Sequence, residues 1–158
     1  MPASFAIGLF CEDVRDEVAG TQSIVGILPD NMAIPSVPVA LPRLVLYLRL
    51  MLDPASDPGA ISASLDFPNG ETRQVVSIDA DATEDACKAA REAGAPYAGM
   101  VTVVAMQQFT VIAAGRLVAM VRIGGQERVC AALNFQVLPA SSTAPLPQSA
   151  DAPRPKGP

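Results

Sequence analysis

The sequence predicts a mainly β fold: an antiparallel β-sandwich, immunoglobulin-like or C2-like, of about eight or nine strands with one short helix. Three observations carry that expectation. Leucine occupies every second position from Leu44 to Leu52, which is the period of a strand and not of a helix. Two turn signatures, Pro68-Asn69-Gly70 and Gly124-Gly125, each separate segments that alternate apolar and polar residues. Only residues 81–96 carry the charge pattern and stop signals of a helix.

Taken in order, Phe5 to Cys11 reads as a strand with Phe5, Ile7, Leu9 and Cys11 inward. A polar turn through "EDVRDEVAGT" follows, then a strand from Ser23 to Leu28. Four prolines between Pro29 and Pro42 suit an irregular edge crossing, because proline cannot donate to a ladder. In "RLVLYLRLML" (43–52) the even residues form a leucine ridge. The odd ones (Arg43, Val45, Tyr47, Arg49, Met51) carry both arginines on the other face. Two arginines within ten residues exclude a membrane span. "ISASLDF" (61–67) turns through Asn69-Gly70 into Thr72–Ile78. "YAGMVTVVAM" (97–106) and "FTVIA" (109–113) read as two strands. "LVAMVRI" returns through Gly124-Gly125 as "VCAALNFQV", with Val129, Ala131, Leu133, Phe135 and Val137 on one face. For the helix, Asp81 is the expected N-cap, with Glu84 three residues on. Its apolar stripe is alanine (Ala82, Ala86, Ala89, Ala93), and Gly94 and Pro96 stop it. No internal repeat is found. The expected organisation is one domain over 1–138, followed by a Pro/Ser/Ala-rich tail, disordered or extended, over 139–158.

The totals exclude several functions. The chain has 158 residues, half of them hydrophobic, with 16 acidic and 11 basic side chains and a net charge of −5. That balance disfavours nucleic acid and anionic membranes, which need clustered cations. Histidine is absent, which removes the commonest general base and zinc ligand. Cys11, Cys87 and Cys130 are an odd number without CxxC spacing, so three free thiols in a reducing compartment are expected. No cationic start precedes the first apolar run, as a secretory signal would require. A cytoplasmic location is expected, or a virion if the protein is phage-encoded.

The segments "LFCEDVRDEVAGTQSIVGIL" and "IPSVPVALPRLVLYLRL", with the late "GRLVAMVRIGGQE" hairpin, resemble a family of small uncharacterised proteins of bacteria and their phages. The features that carry it are Cys11-Glu12-Asp13 with Arg15 and Glu17, Gly20, Gly26 and the crossing to Leu41-Pro42, over residues 5–138. The resemblance implies a sandwich-like domain without an assigned activity, so it transfers no functional residue.

Two polar constellations remain. Glu12, Asp13, Arg15, Asp16 and Glu17 form a charged turn that could dock a basic surface or hold a cation. The plain alternative is a solvated turn with local ion pairs. Arg43, Tyr47 and Arg49 share one strand face and could meet an acidic partner; the alternative is an ordinary half-exposed sheet face. "DADATED" (79–85) spaces oxygens as a calcium loop does. Its sixth and twelfth positions are Glu84 and Ala90, where such a loop needs Gly and Glu, so a helix cap explains it better. No cofactor, metal or catalytic residue is expected. The expected function is a non-enzymatic protein-interaction or structural module, an adaptor or a small phage-particle component, with a protein partner or a second copy. The competing reading is a ligand- or metal-binding sandwich, or a carboxylate enzyme, built on Glu12, Asp13 and Asp16.

Overall fold

A computed structural model of the chain describes residues 3–139; all but Pro139 of the expected tail lies outside the described residues. The elements run β1 (Phe5–Asp16), β2 (Gln22–Ile27), β3 (Asn31–Ile34), β4 (Val39–Leu52), β5 (Ile61–Asp66), β6 (Thr72–Ile78), α1 (Ala80–Glu92), β7 (Ala98–Val111), β8 (Gly115–Ile123) and β9 (Gln126–Val137). They form a β-sandwich of two sheets, ordered β2-β1-β4-β7 and β3-β9-β8-β5-β6. One pairing departs from the expected antiparallel pattern. β3 runs parallel to β9, from Asn31 opposite Asn134 to Ile34 opposite Val137. β3 also lies inside the segment read as irregular. Its four residues fit between Pro29 and Pro35 at a sheet edge, where a missing N–H leaves no ladder bond unmade.

The leucine ridge is the centre of the core. Leu44, Leu46, Leu48, Leu50 and Leu52 are each 0% exposed, and burying one such side chain contributes about 1.5–3 kcal/mol. Leu44 and Leu46 pack with Phe10, Leu65, Leu117, Leu133 and Phe135. Leu48, Leu50 and Leu52 pack with Ile61, Val76, Val121 and, from α1, Cys87 and Ala90. Phe67, Phe109 and Phe135 stack in a row at 5.9 and 6.5 Å between ring centres. The two predicted hairpins form. Gly124 and Gly125 both have positive φ, whereas at the other turn only Gly70 does (φ 85°) and Asn69 does not.

Several details differ from the sequence reading, each for a local reason. Ala6, Gly8 and Phe10 of β1 face the ridge, against the expected odd set, and Ile7 is 53% exposed, whereas Cys11 is buried as expected. Register decides this, because Gly8 and Phe10 lie opposite Leu48 and Leu46 of the ridge. The two sheets approach most closely there. A Cβ on Gly8 would lie 3.1 Å from the Cys130 carbonyl oxygen. The charged "turn" is mostly strand, since β1 continues to Asp16 and only residues 17–21 connect it to β2. Within residues 97–113 there is one strand, Ala98–Val111, and not two. Gln107-Gln108 is a kink at which Gln108 takes φ 52° opposite Pro42, and inward parity switches in both strands together. In β9 a bulge between the pairs Ala119–Ala131 and Met120–Val129 breaks the predicted face. Cys130 packs against both core clusters, while Val129 is 60% exposed.

The helix begins two residues earlier than expected. Asp79 is the N-cap and accepts from the Ala82 N–H at 2.9 Å. Its buried stripe is Thr83, Cys87 and Ala90. Alanine alone covers too little area to set the stripe, so the larger Cys87 turns inward. The buried Thr83 hydroxyl is satisfied, at 2.7 Å from the Gly59 carbonyl and 2.8 Å from that of Ala80.

Candidate functional site

The strands of the four-stranded sheet have a second, outward side. Alternation places Arg43, Val45, Tyr47 and Arg49 of β4 there. Register adds Ile7 beside Arg49, Leu9 beside Tyr47 and Cys11 beside Val45. On the other flank Val101 and Val103 of β7 lie beside Arg49 and Tyr47. Ile7 (53%), Val101 (44%) and Val103 (38%) are exposed large apolar residues. A half-buried tyrosine between apolar neighbours, flanked by two arginines, thus occupies the middle of this side.

The β1–β2 hairpin supplies a wall. Asp16, Gly20, Thr21 and Gln22 at its tip line one open groove of about 590 Å³ with Tyr47, Arg49 and Val101. The tip is braced by the Glu17 N–H donating to the Thr21 carbonyl at 2.8 Å and the Gly20 N–H donating to the Glu17 carbonyl at 2.9 Å. The Gln22 amide donates to Asp16 at 3.0 Å. Gly20 adopts φ 75°, a conformation that a side chain would resist.

The eight predicted residues therefore separate into three groups. Asp16, Tyr47 and Arg49 share the groove. Asp13, Arg15 and Arg43 form an ion-pair network, with Asp13 accepting from Arg15 Nε at 3.2 Å and ion-paired with Arg43 Nη1 at 2.8 Å. The Arg15 hydrogen bond, and after it the charge of Arg43, hold the Asp13 carboxyl below the usual carboxylate range against partial burial. Glu12 and Glu17 belong to neither. Glu12 lies across the hairpin over Gly26, whose missing Cβ leaves the space its carboxylate fills, and Glu17 is exposed in the turn. A strand sends successive side chains to opposite faces, so Glu12, Asp13 and Asp16 do not converge. Among the described residues no group of three Cys, Asp or Glu side chains is placed to hold a metal ion. The sequence reading missed the apolar contribution of Ile7, Val101 and Val103. Its signal was the outward parity of β4, which applies to the neighbouring strands once register is known.

The thiols are not activated. Burial pushes all three above the ordinary value, Cys130 up to about 11. Cys130 Sγ lies 3.3 Å from the Ala119 carbonyl oxygen, and Cys11 and Cys87 are fully buried. A thiolate nucleophile needs the opposite environment. No helix among the described residues is long and apolar enough to cross a membrane.

Comparison with known proteins places the chain. The profile of a family of unknown function (DUF6941) matches residues 6–137, so the chain belongs to that family. No curated protein matches it. Among solved structures it is similar to Pseudomonas fluorescens alkylpurine DNA glycosylase AlkC bound to DNA containing an abasic site analog. The identity is 12% over 69% of this chain and 28% of that one, with a TM-score of 0.36. At that score the likeness carries no argument about fold or function.

Proposed function

We propose that this member of the DUF6941 family is a non-enzymatic protein-contact module, and that it docks a partner on the outward side of the four-stranded sheet. The observation that carries the reading is the Tyr47–Arg49 groove. Tyrosine and arginine are the side chains most enriched where proteins meet, because each combines a large contact surface with directional hydrogen bonding. Here they stand among the exposed apolar Ile7, Val101 and Val103. The partner that fits presents apolar side chains with a carboxylate for Arg49. Absence of histidine and thiols held in the protonated form support contact over catalysis. An adaptor or a small component of a phage-like particle, working in the cytoplasm or the virion, is the finer form of the proposal.

Full-length protein carrying Tyr47→Ala or Arg49→Glu should retain the wild-type melting temperature. Each should lose a partner that the wild type captures stoichiometrically from native lysate. A partner held equally by both folded variants, or no stoichiometric partner for the wild type, would overturn the proposal.

A further inference from the structure

An edge strand offers a row of unpaired N–H and C=O groups, and soluble proteins blunt such edges by shortness, charge, proline or a bulge. Three of the four edges here are blunted. β3 has four residues, β2 has six with Gly26 at φ 64°, and β6 has seven and carries Arg73. β7 is different. It has 14 residues, AGMVTVVAMQQFTV, without one charged side chain or proline. Among the described residues it pairs with β4 on one side only. The helix packs at its Ala98 end, and the Gln108 kink ends the regular stretch. Among the described residues no backbone hydrogen bond beyond the β4 ladder reaches Val101–Gln107.

We infer that the β7 edge pairs antiparallel with the β7 edge of a second copy about a two-fold axis near Val103 and Val104, joining two four-stranded sheets into one of eight strands. The chemistry of the edge requires a strand as its occupant, and three observations select this one. Residues 140–158, outside the described residues, carry proline at 145, 147, 153, 155 and 158, a sequence short of the consecutive N–H donors that a ten-residue ladder needs. The chain carries a net charge of −5, so two copies repel over most of their surfaces. β7 is the long uncharged segment where they can meet without opposing like charges. Antiparallel pairing about a two-fold also makes a strand its own complement. Some seven to ten paired residues would contribute roughly the hydrogen bonds of an ordinary interface, about 10 ± 5. Pairing would also bring the exposed Val101 and Val103 of one copy beside those of the other.

This inference names one partner within the contact-module reading and uses the β7 edge, which adjoins the Tyr47 groove and shares Val101 with it. Full-length protein should sediment at twice the 16.4 kDa chain mass. Val103 is 38% exposed, so V103K and V103E should both fold, and each should sediment as a monomer. An equimolar mixture of the two should recover the dimer, since opposite charges then meet at the axis. A wild-type monomer at 100 μM, or a dimer that survives in both single variants, would overturn the inference. R49E is the separating control. A dimer kept in R49E with the captured partner lost would uphold both proposals, and a dimer lost in V103K with the partner kept in R49E would leave only the edge standing.

Discussion

Replacing Leu48 by alanine tests the parity on which the whole sheet assignment rests. Leu48 is fully buried and stands in register between Gly8 of β1 and Thr102 of β7. Leucine-to-alanine changes in cores cost about 2–5 kcal/mol, the amount depending on how far the surroundings relax into the void. Relaxation is restricted here, because Gly8 has no side chain to lean inward and the facing β9 backbone is already in close contact at that row. The loss should therefore be about 3–4 kcal/mol, well above the low end of that range. For a domain of this size each kcal/mol lowers the melting temperature by about 2–4 °C, so the expected drop is roughly 6–16 °C. Arg49, the next residue along, points outward with an exposed side chain, and Arg49→Ala should change stability by no more than about 0.5 kcal/mol. Urea unfolding with unchanged m-values reads both. Comparable losses for the two variants, or less than about 1 kcal/mol for Leu48→Ala, would refute the alternation.

Four further outcomes are expected. Gly8→Ala should destabilise by about 1–3 kcal/mol, because its methyl meets β9 backbone at 3.1–3.2 Å; equal stability by urea titration would mean the sheets stand farther apart. Asp79→Ala should cost about 1 kcal/mol through the lost cap, while Asp81→Ala, one residue inside the helix, should cost less, and thermal melts followed by circular dichroism separate the two. With its pKa near 11, Cys130 is thiolate in only about one molecule in a thousand at pH 8, so an aromatic disulfide reagent should label it only after denaturant is added. The same shift fixes a sign. The native thiol keeps its proton while the unfolded one loses it between pH 9.0 and about 11, so stability should fall as pH rises through that window. A flat profile there would contradict the burial of Cys130.

The legible parts of this fold were those where one strong pattern stood alone. Nothing competes with five leucines at even positions, and the ridge is buried as read. Gly124-Gly125 between alternating segments left one turn geometry open, and both glycines adopt it. The errors lie where two patterns were nearly equal. β1 has apolar residues on both parities, and only its register against the ridge chooses Gly8 and Phe10 over Ile7 and Leu9. "CEDVRDE" resembles a solvated turn because its polarity is high, yet ladder bonds to β2 hold it as strand. The bulge at Cys130 and the kink at Gln108 have no compositional mark, since each arises from how two strands must bend together. Half of the candidate site was readable for the same reason. Arg43, Tyr47 and Arg49 share a face by parity alone, whereas the meeting of Asp16 with Tyr47 depends on where the hairpin tip comes to rest.

The parallel pairing of β3 with β9 has a consequence for how this chain is made. β9, the last of the described strands, sits between β3 and β8, so its sheet stays incomplete until synthesis reaches Val137. The strands of the other sheet up to Leu52 emerge far sooner. At about 5–20 residues per second the intervening 85 or so residues take roughly 4–17 s to appear. Until β8 and then β9 appear late in that interval, the leucine ridge lacks their part of its final cover. On the ribosome this protein is therefore an unroofed half-sandwich, and its most hydrophobic strand is among those that wait longest.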